Sequence, residues 1–171
     1  MTISMHSACM SGMVQTLKAL SGILDKAAAH ASARKIEPSV LLLSRLAPDM
    51  FTLTRQVQIA CDFLTRTSAR LSGVDMPKMP DTEASFEELK ARIETAIAFA
   101  QGLDAQLFAD AGARDITFPV GPMTQTMKGE AYLLRFALPN FYFHASMAYA
   151  ILRENGVEIG KGDFLTGAFE A

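Results

Sequence analysis

The sequence lacks any apolar run of the roughly eighteen residues needed to cross a bilayer, because Gln, Lys, Asp, Arg or Glu interrupts every segment. The stretch from Met1 to His6 lacks the basic flank and apolar core of a secretion signal. A cytoplasmic protein with no membrane span is expected. An excess of one charge is also missing: 16 Lys and Arg stand against 18 Asp and Glu, for a formal net charge of −2. No general field attracts a phosphate backbone, so nucleic acid is not an expected partner. Cysteine is scarce. Cys9 and Cys61 lie far apart and lack the C-x-x-C spacing of redox or metal pairs, which predicts two buried thiols. The chain has no G-x-x-x-x-G-K-S/T, no strand-linked G-x-G-x-x-G, no G-x-S-x-G and no H-E-x-x-H, which argues against nucleotide binding and serine hydrolysis.

What is present fits one all-α domain over residues 1–171. Half of the 171 residues are hydrophobic and a fifth are charged, and a chain of this length can bury about 70% of its unfolded surface. From Ser4 to Ala33, Met10, Met13, Leu17, Leu20 and Leu24 recur at helical spacing and predict a long first helix. Pro38 interrupts it, and a short turn from Ser39 to Leu46 follows. Pro48 suits the first turn of a second long helix, running to Leu71, with Asp49 as a favourable charge at its N-terminus. Ser85-Phe86-Glu87-Glu88 has the form of a capping box and predicts a third helix continuing to Phe108. The alternation around Gly121-Pro122 suggests a small irregular hairpin. A fourth helix, Gly129 to Asn155, carries most of the aromatics, and a glycine-rich tail through Gly160, Gly162 and Gly167 wraps back on Phe164 and Leu165.

Only His6, His30 and His144 could supply imidazoles. If the first and fourth helices pack antiparallel, His6 lies about 15 Å from the level of His144, and His30 lies off in the other direction. Metal ligands must approach within roughly 2 Å, so a three-histidine site is not expected. His144 is the most suggestive titratable residue, because Phe136, Asn140, His144, Met147 and Ile151 fall on one helical stripe. It is either a core histidine satisfied by Asn140 or a carbonyl, or the centre of a pocket. Asp49 and Gln56 share a line at seven-residue spacing and could face it, with Tyr142 and Tyr149 as aromatic walls. Arg34-Lys35 and the Arg66, Arg70 pair read as solvated charges.

The segments Arg45 to Phe51 and Gln56 to Ala60, Leu138 to His144 and Ala148 to Arg153, together with Asn155 to Leu165, resemble a bacterial domain-of-unknown-function family grouped with the DinB/YfiT-like metalloenzyme superfamily. The resemblance implies a DinB-like four-helix bundle, often dimeric, with a pocket between helices. In the wider superfamily one histidine of the second helix joins an H-x-x-x-H pair of the last to hold a divalent metal or to serve thiol-cofactor transfer. Here the matching positions read Asn140-x-x-x-His144, and the second helix has no histidine. The expectation is therefore a small-molecule binder with a degenerate metal site, its ligand contacts being His144, Asn140, Asp49, Gln56, Tyr142 and Tyr149. The alternatives are a divalent-metal enzyme or thiol-cofactor transferase, and a non-catalytic homodimeric interaction module.

Overall fold

The first helix, α1, spans Met5–Arg34 in a computed structural model that describes residues 3–166. Ser4 caps it by accepting from the Ser7 N–H at 3.0 Å. At the other end Lys35 adopts a left-handed conformation at φ 56, and the Ile36 N–H returns to Ala31 O at 2.9 Å. The expected stripe of Met10, Met13, Leu17, Leu20 and Leu24 is buried, and Ala27 and Ala31 continue it. Helix α2 is a single turn, Pro38–Leu42, with Pro38 in its first position.

The next helix, α3, spans Leu53–Ser72 and starts later than Pro48. Ala47 O accepts from the Met50 N–H at 3.0 Å, so Pro48 and Asp49 are the central residues of a turn, a setting that proline's fixed φ suits as well as a helix start. Thr52 is the true cap, its hydroxyl accepting from the Arg55 N–H at 3.4 Å. Asp49 is exposed, clear of the helix N-terminus it was expected to serve. Helix α4, Phe86–Gln101, begins where the capping motif predicts, with Ser85 Oγ accepting from Glu88 N–H at 3.1 Å. It stops at Gly102 rather than Phe108. Asp104 then caps a separate 3-10 turn, Ala105–Phe108, which puts Phe108 in the core and leaves Leu107 exposed.

Strands β1 (Asp115–Val120) and β2 (Met123–Lys128) form a regular antiparallel hairpin, not an irregular one. Gly121 at φ 57 fits the first central position of a two-residue turn, and Val120 pairs with Met123. Ile116 and Phe118 face inward.

The expected final helix is three segments: α5 (Gly129–Tyr132), a wider π-turn (Leu133–Ala137) and α6 (Leu138–Glu154). Leu138 N–H donates to Leu133 O, five residues back. Pro139 follows at once. It has no N–H and its ring crowds the carbonyl four residues earlier, and the widened turn accommodates both effects. At the start of α5 only glycine fits position 129, because a Cβ there would lie 1.9 Å from Ala111 O.

Helix α3 is the hub, packed between α4 and α6 with α1 closing the bundle. Its polar residues Gln56, Gln58, Asp62, Thr65 and Ser68 are consequently buried. Val157 and Ile159 join the core, and α7 (Lys161–Phe164) folds back on α1. Gly167, Met1 and Thr2 lie outside the described residues. No helix among the described residues is long and apolar enough to cross a membrane.

Candidate functional site

The seam between α3 and α6 brings together two of the residues singled out from the sequence. His144 is 9% exposed and Gln56 1%, and His144 Nδ1 lies 2.7 Å from Gln56 Oε1. The Gln56 Nε2 end donates to Phe51 O at 3.5 Å, which orients the amide. A carboxamide oxygen only accepts, so Nδ1 carries the proton and donates, leaving the Nε2 lone pair free as an acceptor, base or ligand. Burial, and secondly the nearby positive charge of Arg55, push the His144 pKa down to about 4. The imidazole is neutral at physiological pH.

Aromatic rings surround it. Phe63 stacks on His144 at 6.0 Å and 18°, and Phe143 meets it edge-on at 5.3 Å. The array continues through Phe136 to Phe118 of the hairpin and Tyr132, and Arg70 lies 5.5 Å over Phe118 while donating to the Tyr132 hydroxyl. Arg70 is thus part of the packing rather than a solvated charge.

The other expected contacts lie apart. Asn140, one turn before His144, turns its amide to its own helix and donates to Phe136 O at 2.7 Å. Tyr142 points at α1, its hydroxyl covering Gly12, and burial raises its pKa while the Thr16 hydroxyl opposes this. Tyr149 packs edge-on to Phe164 at 5.9 Å. Asp49 sits in its exposed turn.

Beside this seam lies a charge network that sequence reasoning missed. The Arg92 side chain is 3% exposed and bonds Asp62 at 2.6 Å, Glu83 at 2.8 Å and Asp81 at 2.9 Å. Gln58 donates to Glu83, Arg66 pairs with Asp62 at 2.7 Å, and Arg55 joins Gln58 to Asp81. Burial opposes the charge on Arg92, but Glu83 and Asp62 outweigh it and hold the guanidinium above its usual pKa. Burial would likewise raise Glu83, and the bonds from Arg92 and Gln58 reverse that. The network ties the proline-containing loop before α4 onto α3. Its only sequence signal is the polar set Arg55, Gln58, Asp62, Arg66 at three- and four-residue steps, which is also the pattern of a solvated helix face.

Both cysteines are buried free thiols; burial raises the Cys9 pKa to about 12 and raises that of Cys61 as well. His6 packs on Phe108, remote from His144, and His30 lies beside Gly156. Among the described residues no group of three or more His, Cys, Asp and Glu side chains could hold a metal ion. The donor set at the seam does not fit a divalent metal: it offers one imidazole, one amide oxygen already occupied by that imidazole, and one amide turned to its own backbone.

A crystal structure of a DinB family member protein from Shewanella denitrificans matches with a TM-score of 0.88 at 41% identity, covering 94% of this chain and 90% of that one. No protein of curated function matches. A family model described as a domain of unknown function, DUF1993, matches residues 5–165. With the family model spanning residues 5–165 and the likeness to the solved structure covering nearly the whole chain, the chain belongs to the DUF1993 family and has the fold of a DinB family protein.

Proposed function

We propose that the chain binds a small-molecule ligand at the α3–α6 seam, with His144 Nε2 as the polar anchor and the superfamily's metal site degenerate. The observation that carries this is the oriented His144–Gln56 pair. The resemblance implies a metal-binding histidine on this helix, α3 has none, and the Gln56 oxygen accepts from the His144 ring. A neutral imidazole fixed in one tautomer, walled by Phe63 and Phe143, suits a ligand hydroxyl, amide or thiol that donates to Nε2. On this reading the protein works in the cytoplasm as a homodimer and has no nucleic-acid partner.

Native mass spectrometry of untagged protein against a metabolite extract, with His144→Gln alongside, tests the reading. A ligand adduct held by the wild type and lost from the variant is expected. No adduct, or one retained equally by both, overturns it; a stoichiometric metal adduct would favour the metalloenzyme or thiol-cofactor transferase instead. A second reading is favoured by the exposure of Phe51 and Phe143, at 54% and 52%, beside the same seam. Such aromatics are enriched at interfaces, which supports a non-catalytic dimeric interaction module. Sedimentation as a monomer at micromolar concentration would rule that out.

A further inference from the structure

The last turns of α1 carry Lys26, His30 and Arg34 at four-residue steps, so the three share one face. Between them Ala29 and Ala33 contribute only methyl groups, which leaves a hollow. The facing wall is the segment after α6, where Glu158 stands and where a Cβ on Gly156 would lie 3.9 Å from His30 Cε1. The resulting cleft is about 490 Å³, within the range of small-molecule sites.

Its polar groups are not used up by the fold. His30 Nε2 is buried and has no hydrogen-bond partner among the described residues, a state that buried polar atoms rarely tolerate. Arg34 forms no ion pair among the described residues, whereas Lys26 bridges Asp163 at 2.5 Å on the rim. The negative end of α1 would oppose an anion here. That opposition is reduced, because Ala31 O and Ser32 O already accept from the Ile36 and Lys35 N–H groups. Burial of Nε2, an unpaired guanidinium and a hollow of this size are together more than helix capping requires.

We propose that this cleft is a second binding site, taking a small ligand that carries an oxyanion, either phosphate or carboxylate. The Arg34 guanidinium donates to the oxyanion, and His30, whose Nε2–H is shielded from the cleft in the unliganded conformation, turns its ring to donate as well; Lys26 adds charge at the rim, and Glu158 accepts from a hydroxyl or amine of the same ligand. None of these residues belongs to the His144 seam, so the proposal stands independently of the function assigned there.

Titration of the full chain with inorganic phosphate and, separately, with succinate tests it, following the imidazole carbon and proton signals of all three histidines. The expected result is a saturable shift at His30 in at least one series, with His144 unmoved. The series that saturates identifies phosphate or carboxylate as the ligand group. Arg34→Gln, at an exposed position, should weaken binding about ten-fold or more, the loss expected for one charged hydrogen bond, without moving the denaturation midpoint. His30→Leu should abolish binding while leaving the fold as stable or more so, since it removes an unpaired buried polar atom. No saturable His30 shift in either series, or equal affinity in wild type and Arg34→Gln, overturns the proposal.

Discussion

Replacing His144 with alanine removes a ring that is almost buried, bonded to Gln56 at 2.7 Å and stacked on Phe63. Leaving the buried Gln56 oxygen without its donor costs about 1–3 kcal/mol. Loss of the ring stacking adds about 0.5–1.5 kcal/mol. Water entering at the partly exposed edge recovers a fraction, so a net destabilisation of about 1–4 kcal/mol is expected. Urea denaturation reads this as a fall in midpoint at constant slope. Gln56→Ala should cost a similar amount, and the double variant less than the sum of the two, with a coupling of about 1 kcal/mol. A loss below about 0.5 kcal/mol for His144→Ala, or additivity within about 0.3–0.5 kcal/mol, would refute the pairing on which the site rests.

Arg92→Met should destabilise by about 3–5 kcal/mol in the same assay, because Asp62 and Glu83 would be left partly buried without their cation; a near-neutral result would mean the network is solvated. Thr52→Ala should cost about 1 kcal/mol and Asp49→Ala less than about 0.5 kcal/mol, the reverse of what a helix starting at Pro48 would give. Gly129→Ala should lower the melting temperature markedly or prevent folding, since its Cβ would meet Ala111 O at 1.9 Å; a wild-type melt would contradict the close approach.

The four long helices were legible because each buried stripe is apolar over several turns. Met10 to Leu24 in α1 are buried at the expected spacing, and α4 begins at the expected capping motif with Leu89, Ile93, Ala96 and Ala100 buried along it. Boundaries were less legible where one residue type serves two purposes. Pro48 fits a helix start and a turn equally, and only Thr52 reveals which applies. Leu133 to Ala137 are ordinary helix formers, so the π-turn left no trace except Pro139 beyond it. At the candidate site, the stripe identified His144 correctly as an inward polar residue. Gln56 was found through a line shared with Asp49, although the turn at Pro48 removes Asp49 from that line. Asn140 was expected to face a ligand, but a side chain beside a disturbed helix turn finds a nearer acceptor in Phe136 O. The Arg92 network escaped notice because its loop partners, Asp81 and Glu83, lie outside any periodic element.

The protonation state of His144 bears most directly on the proposed site, and nitrogen-detected NMR of the histidines measures it. The folded pKa of about 4 lies below the ordinary 6.5. The unfolded chain therefore takes up the proton first as pH falls, and the stability contributed by the neutral ring is complete above pH 6.5. It is lost progressively toward pH 4, by up to about 3 kcal/mol. The predicted spectrum shows His144 neutral, protonated on Nδ1 and bare at Nε2, from pH 8 down to near 4. Titration of His144 near 6.5, or a proton resident on Nε2 in the neutral state, would contradict the account.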